Sequence, residues 1–367
     1  MMNENITDNG KQNMIATIED FLKDSEEVIV EDYYSLADEI YDDFDEKAFK
    51  KGHGYSCLTY PIFNEKIEGL EEGLYVFAGE SNSGKTAVMT NLLWAFCNNP
   101  ENKLLGIYYS LDDNTDEVIP RLIAMNQQIP ISVGSKPKRY MDYIEENKDS
   151  DNDVTKAFVD RYRDYLQKRS NGLKQLREAN KKFLIFDREK IGSFEQLLDH
   201  AKKVQMYVKQ FDPDNNIIIA IDSLADLNVN KNFGSDKERI DYISRLVKQA
   251  ANIDLKVPIF ASYHVRKLNR DGRPTLDDIK ESSRIVYEAS LAFLVFNDVS
   301  KNKQNASVYY TTTDSQEKKP VIELDWAKNK KSSFKGRTYH FFTPEYSFVR
   351  ECPKENMQRF DTIVYTK

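Results

Sequence analysis

Cysteine and histidine are scarce in this sequence, with three of the first and four of the second in 367 residues. Cys57, Cys97 and Cys352 stand far apart and form no C-x-x-C pair, which excludes a disulfide framework and a zinc ribbon. The histidines make no ligand cluster. No apolar run reaches the ~18 residues that would read as a membrane span, and the first residues lack a signal-peptide pattern. A soluble, cytoplasmic protein with no membrane partner is expected. Helix-turn-helix and zinc-finger patterns are missing, so base-specific DNA reading is unsupported. No internal repeat is visible.

Positive charge is short overall, with a net −8, but the deficit is local. Residues 16–50 hold thirteen acids against three lysines, while residues 51–367 sum to +3. The body is therefore near neutral, with basic clusters that can meet phosphates. Hydrophobic residues make up 40 %, enough for one large core with appendages.

Against these absences, GESNSGKT stands out. Gly79, Glu80, Ser81, Asn82, Ser83, Gly84, Lys85 and Thr86 fit G-x-x-x-x-G-K-S/T at every fixed position. An apolar, β-prone run precedes them at Leu74–Ala78, and a helical pattern follows. Strand, glycine loop and helix together make a phosphate cradle. The glycines let backbone N–H groups face an anion, and the helix N-terminus adds its field. Lys85 can reach the β- and γ-phosphates of ATP, and the Thr86 hydroxyl can ligate Mg²⁺.

Residues 1–30 read as a disordered or short helical arm. Residues 31–52 read as an acidic amphipathic helix, with Tyr33, Ala37, Ile40, Phe44 and Ala48 on one stripe. Five more β-rich runs follow the cradle: LLGIYYS, KFLIFD, IIIAIDS, VPIFASY and LAFLVFND. Alternation with helices predicts an α/β fold, a mostly parallel twisted sheet flanked by helices. Short-linked runs from ASVYYTT to YSFVRE predict a C-terminal antiparallel extension, ending near 351 before a tail at 352–367. Residues 132–181 read as a charged helical insertion, to which no chemistry is assigned. Asp222 ends the most apolar strand, where such sheets bind ligands, and can hold Mg²⁺ with Thr86. The SLDD run ending the second strand offers a carboxylate to activate water. His264, ending the fourth β-rich run after the cradle, can sense the γ-phosphate.

From about Glu31 to Glu351 the chain resembles the RecA-like P-loop motor of DnaB-type replicative helicases, including phage versions. The resemblance rests on GLEEGLYVFAGESNSGKT, YYSLDDNTDEVIPRLIA, ISRLVKQAANIDLKVPIFASYH, DDIKESSRIVYEASLAFLVFND and VIELDWAKNKKSSFKG. It implies a DNA helicase of a bacterial or phage system that hydrolyses ATP with Mg²⁺ at the subunit interfaces of a homo-oligomeric ring, usually a hexamer. Single-stranded DNA threads the centre, and primase, loader or polymerase are possible partners. It places residues 31–52 as a linker helix docking on a neighbour, without the family's N-terminal collar domain. It matches Asp112 to the catalytic Glu, His264 to the γ-phosphate sensor, and Lys330 to the arginine finger, with Lys328 two residues before. Asp is one methylene shorter than Glu, and lysine lacks arginine's planar fork, so slow turnover is expected. Lys331, Lys335 and Arg337 are the cations near enough to compensate.

The resemblance also puts two loops in the DNA channel. One carries Lys231, Lys237 and Arg239; the other carries Arg266, Lys267, Arg270 and Arg273. Mobile basic loops suit backbone contact without a base code. Two other readings remain open at this stage: a RecA-like recombinase or mediator, and an ATP switch or assembly factor with slow hydrolysis.

Overall fold

The computed structural model describes residues 40–42, 44–45, 54–179, 183–268, 272–280, 284–312 and 315–366. The chain divides into Met1–His53 and Gly54–Lys367. In the first unit, residues 40–42, 44 and 45 are helical, and Ile40, Tyr41 and Phe44 are exposed. The rest of the arm and of the expected linker helix, including Tyr33, Ala37 and Ala48, lies outside the described residues.

In the second unit, helix α1 (Pro61–Ile67) precedes strand β1 (Gly73–Gly79) and helix α2 (Lys85–Asn98). Then come β2 (Leu104–Ser110), α3 (Thr115–Gln127), α4 (Pro137–Glu146) and α5 (Asp153–Ala179). β3 (Phe183–Asp187), α6 (Phe194–Phe211), β4 (Asn216–Asp222), α7 (Asp236–Gln249) and β5 (Pro258–His264) follow. The chain closes with β6 (Leu291–Asn297), β7 (Tyr309–Thr312), β8 (Ser315–Asn329), β9 (Arg337–Thr343), β10 (Phe348–Glu351) and α8 (Lys354–Tyr365).

The sheet runs β10-β9-β8-β6-β1-β5-β4-β2-β3, with β7 paired to β8. β6 to β3 are parallel to one another, and β7 to β10 add antiparallel. The strands are apolar throughout because both faces are covered. Their residues alternate between two cores. Leu74, Val76, Ile217, Ile219 and Ile221 pack toward α6 and α7, whereas Tyr75, Phe77, Ile218 and Ala220 pack toward α2. On the α2 side Phe77 stacks on Phe293 at 4.8 Å, and Trp326 of β8 meets Phe293 edge-on at 4.9 Å. That cluster seals the antiparallel extension to the parallel sheet.

Two features go beyond the sequence reading. The insertion is not wholly solvated: Tyr165, Leu166, Leu173 and Leu176 of α5 pack on Ile123 and Ile129 at and beside α3. Residues after 351 form α8, whose Met357 and Phe360 are buried with Tyr339 and Val321.

Candidate nucleotide site

The cradle forms where β1 gives way to α2. Gly79 is required by close approach, since a Cβ there would lie 2.6 Å from Ser83 Oγ and from the Val295 carbonyl. Gly84 adopts φ +97°, which favours glycine, and its missing Cβ makes room for Ile322 of β8. The Lys85 ammonium donates to the carbonyls of Gly79 and Glu80 at 3.0 and 2.8 Å. Burial pulls its pKa down to about 8, against the opposing pull of Asp222, Asp112 and Glu80. Ser83 Oγ is buried without a hydrogen-bond partner, an orphan that a phosphate oxygen would satisfy.

Asp222 ends β4 beside this loop. Thr86 Oγ1 donates to its Oδ2 at 2.7 Å, as does Tyr108 Oη at 2.7 Å, and Ser262 Oγ donates to Oδ1. Three hydroxyls thus fix one carboxylate. A carboxylate and a hydroxyl in contact are hard oxygen donors, which fit Mg²⁺ held jointly with phosphates. Among the described residues no cluster of three or more His, Cys, Asp or Glu could hold a metal alone.

Asp112 follows β2. Its backbone N–H and that of Leu111 donate to the Asp222 carbonyl, at 3.1 and 2.5 Å. Partial desolvation, then Asp226, Asp113 and Asp222, push its carboxyl above the ordinary carboxylate range, opposed by His264. Asp113, the other acid of the SLDD run, is paired to Arg121 of α3, leaving Asp112 as the unpaired one of the two. His264 ends β5. Burial and the Lys85 charge hold its imidazole below the usual value, so it is neutral at pH 7.

A cleft of about 610 Å³ collects these groups: Lys85, Thr86, Asp112, Asp222, Ser262 and His264 all line it. Ile131, Val299, Pro320, Phe342 and Pro344 supply apolar wall. Sequence reasoning missed Tyr108 and Ser262. Their only signal was polarity near the end of a buried strand. It also missed the wall from β8 and β9, which topology alone brings there.

Lys328 and Lys330 lie elsewhere. β8 runs antiparallel to β6, so Asn329 pairs with Leu291 and the Lys330 N–H reaches Ser290. That level is the start of β1, a strand length of roughly 20 Å from the cradle. Lys328 donates to the carbonyls of Val286 and Tyr287, and burial with the Lys330 charge lowers its pKa to about 8. Lys330 is exposed. Of the compensating cations, Lys331 is held by Glu71 and Arg337 by Asp325, while Lys335 is exposed.

The two basic loops divide. Lys237, Arg266 and Lys267 are exposed, and Lys231, also exposed, sits over the Tyr242 ring at 4.6 Å. Arg239 donates to the carbonyls of Leu227 and Ala225, tying its own loop to α7. Arg273 makes a two-pronged ion pair with Glu323, a fully buried residue of β8. Arg270 lies outside the described residues, as do Glu281 and Ser282.

The family model "DnaB-like helicase C terminal domain" matches residues 58–349. Among curated proteins, the replicative DNA helicase DnaB of Mycoplasma pneumoniae is 25 % identical over 263 residues, which are 69 % of this chain and 48 % of that protein. The chain thus spans about half the length of this relative. Among solved structures, the ATPase domain of a DnaB-like replicative helicase has a TM-score of 0.65 at 20 % identity, covering 86 % of this chain and 98 % of the other. A second DnaB-like replicative helicase, solved in a study of its interactions with primase, gives 0.64 at 19 % identity, covering 94 % and 74 %. At these identities the two structures speak for the shared fold.

Proposed function

This chain belongs to the DnaB-like helicase C-terminal domain family, and from that premise we propose that it is an ATP-driven translocase on single-stranded DNA, working as a replicative-type helicase. The observation that carries the reading is the convergence of Lys85, Thr86, Asp222, Asp112 and His264 on one cleft. Lys85 and the loop N–H groups seat the β- and γ-phosphates. Thr86 and Asp222 hold Mg²⁺, which neutralises charge developing on the phosphates. Asp112 orients and deprotonates the attacking water, and its raised pKa makes it a stronger base than an ordinary Asp. Neutral His264 hydrogen-bonds the γ-phosphate and, sitting at the start of the segment that carries Arg266 and Lys267, relays its loss toward DNA.

No helix among the described residues is long and apolar enough to cross a membrane. The working form is a homo-oligomeric ring in the bacterial or phage-infected cytoplasm, with ATP at subunit interfaces and the linker region docking on a neighbour. A primase is a candidate partner. ATP hydrolysis measured with and without single-stranded DNA, beside Lys85→Ala and Asp112→Ala, tests the reading. Strong DNA stimulation lost in both variants is expected. ATP binding with slow, DNA-independent turnover would instead identify an ATP switch.

A further inference from the structure

Glu80 stands second in the phosphate loop, yet it does not line the nucleotide cleft. Its carboxylate lines a separate cavity of about 160 Å³ beside it. A carboxylate in a loop that receives a polyphosphate is electrostatically unfavourable unless it is neutralised. Lys301 neutralises it, with Nζ 3.1 Å from Oε1 and 3.0 Å from Oε2, both side chains about four-fifths buried. Glu80 Oε1 also accepts from the Leu268 N–H at 2.7 Å, and Lys301 donates to the Leu268 carbonyl at 2.8 Å. The pair therefore grips both backbone groups of one residue. Leu268 lies four residues past His264 and directly after Arg266 and Lys267.

The other end of Glu80 is held too. Its backbone carbonyl accepts from Lys85 Nζ at 2.8 Å and from the Ser83 N–H at 3.3 Å. The segment after β5 is closed at its base by Arg266 N–H to the Asp278 carbonyl at 2.7 Å. The Glu80–Lys301 grip reaches beyond that base to Leu268.

We propose that Glu80 is a positioning residue that clasps the segment after β5 to the phosphate loop, coupling nucleotide occupancy to the placement of Arg266 and Lys267. Phosphate competes with the Glu80 carbonyl for the Lys85 ammonium. Any shift of the Glu80 backbone reaches Leu268 through charge-assisted hydrogen bonds, which hold geometry better than neutral ones. The proposal rests on the nucleotide-site reading above.

Hydrogen exchange of residues 265–268, with and without saturating Mg-ATP, tests it in the wild type, Lys301→Met and Glu80→Gln. Fluorescent-ATP titration and thermal melts run alongside. In the wild type, Mg-ATP is expected to change exchange there by about tenfold, a typical coupling strength. Lys301→Met, which leaves the cleft lining untouched, is expected to melt cooperatively, bind ATP and lose that response. Glu80→Gln keeps an acceptor for Leu268 but loses the ion pair, and gives a reduced response. An equal response in all three proteins, or ATP binding by the wild type with no change at 265–268, overturns the clasp and leaves the site reading intact. Failure of the wild type to bind ATP overturns the site reading, and the clasp with it.

Discussion

Two groups in the cleft carry protons whose positions set its pH behaviour. Asp112 must be ionised to act as a base, and its carboxyl titrates above the ordinary carboxylate range. Turnover should therefore fall as pH drops through that raised value, before an ordinary aspartate would protonate. Asp112→Asn should lower kcat by about 10²–10⁴-fold with little change in KM. Steady-state rates across pH check both, and an acid limb unchanged in Asp112→Asn would assign the base elsewhere. Lys85 must be charged to hold phosphate, and its pKa in the free protein is about 8. ATP affinity should thus decline as pH rises through about 8. Affinity that stays level into the alkaline range would remove Lys85 as the main phosphate cation.

Elements remote in sequence decide which charged residues are structural. Read as a string, Arg266, Lys267 and Arg273 form one basic loop. In the fold, Arg273 points to Glu323 of β8, fifty positions downstream, and only the other two stay exposed. Breaking a buried pair leaves an uncompensated charge, so Arg273→Ala should cost about 3–5 kcal/mol in urea denaturation. Lys267→Ala should leave stability within about 0.5 kcal/mol and weaken DNA binding instead. Equal stability losses in both would erase the distinction. A second long-range contact caps α1. The Glu351 carboxylate accepts from the Ile62 and Phe63 N–H groups at 2.8 and 2.7 Å, satisfying the free donors of the helix start. Glu351→Ala should lower stability by about 1 kcal/mol, read in the same denaturation experiment.

At the scale of the molecule, the antiparallel return of β8 puts Lys328 and Lys330 a strand length from their own cleft. A charge there can serve nucleotide only in another subunit. Lys330→Ala and Lys85→Ala should each abolish turnover. Mixing them should restore part of it, because some interfaces then pair an intact cleft with an intact Lys330. No recovery on mixing, once subunit exchange is verified, would deny Lys330 a role across the interface.

The sequence by itself determined the cradle, because glycine, lysine and threonine at fixed spacing act through local backbone geometry. It also determined the strands, because a strand buried on both faces must be apolar along its length, as in IIIAIDS. The position of Asp222 followed from that run ending in an acid. Only tertiary structure decided the rest. Tyr108 and Ser262 became partners of Asp222 because β2 and β5 flank β4, and strand order is not written in any one strand. Arg239 and Arg273 acquired structural partners, and Leu268 met Glu80 and Lys301, through contacts between distant segments. Side-chain charge is a property of the residue, whereas its availability depends on what the fold sets beside it.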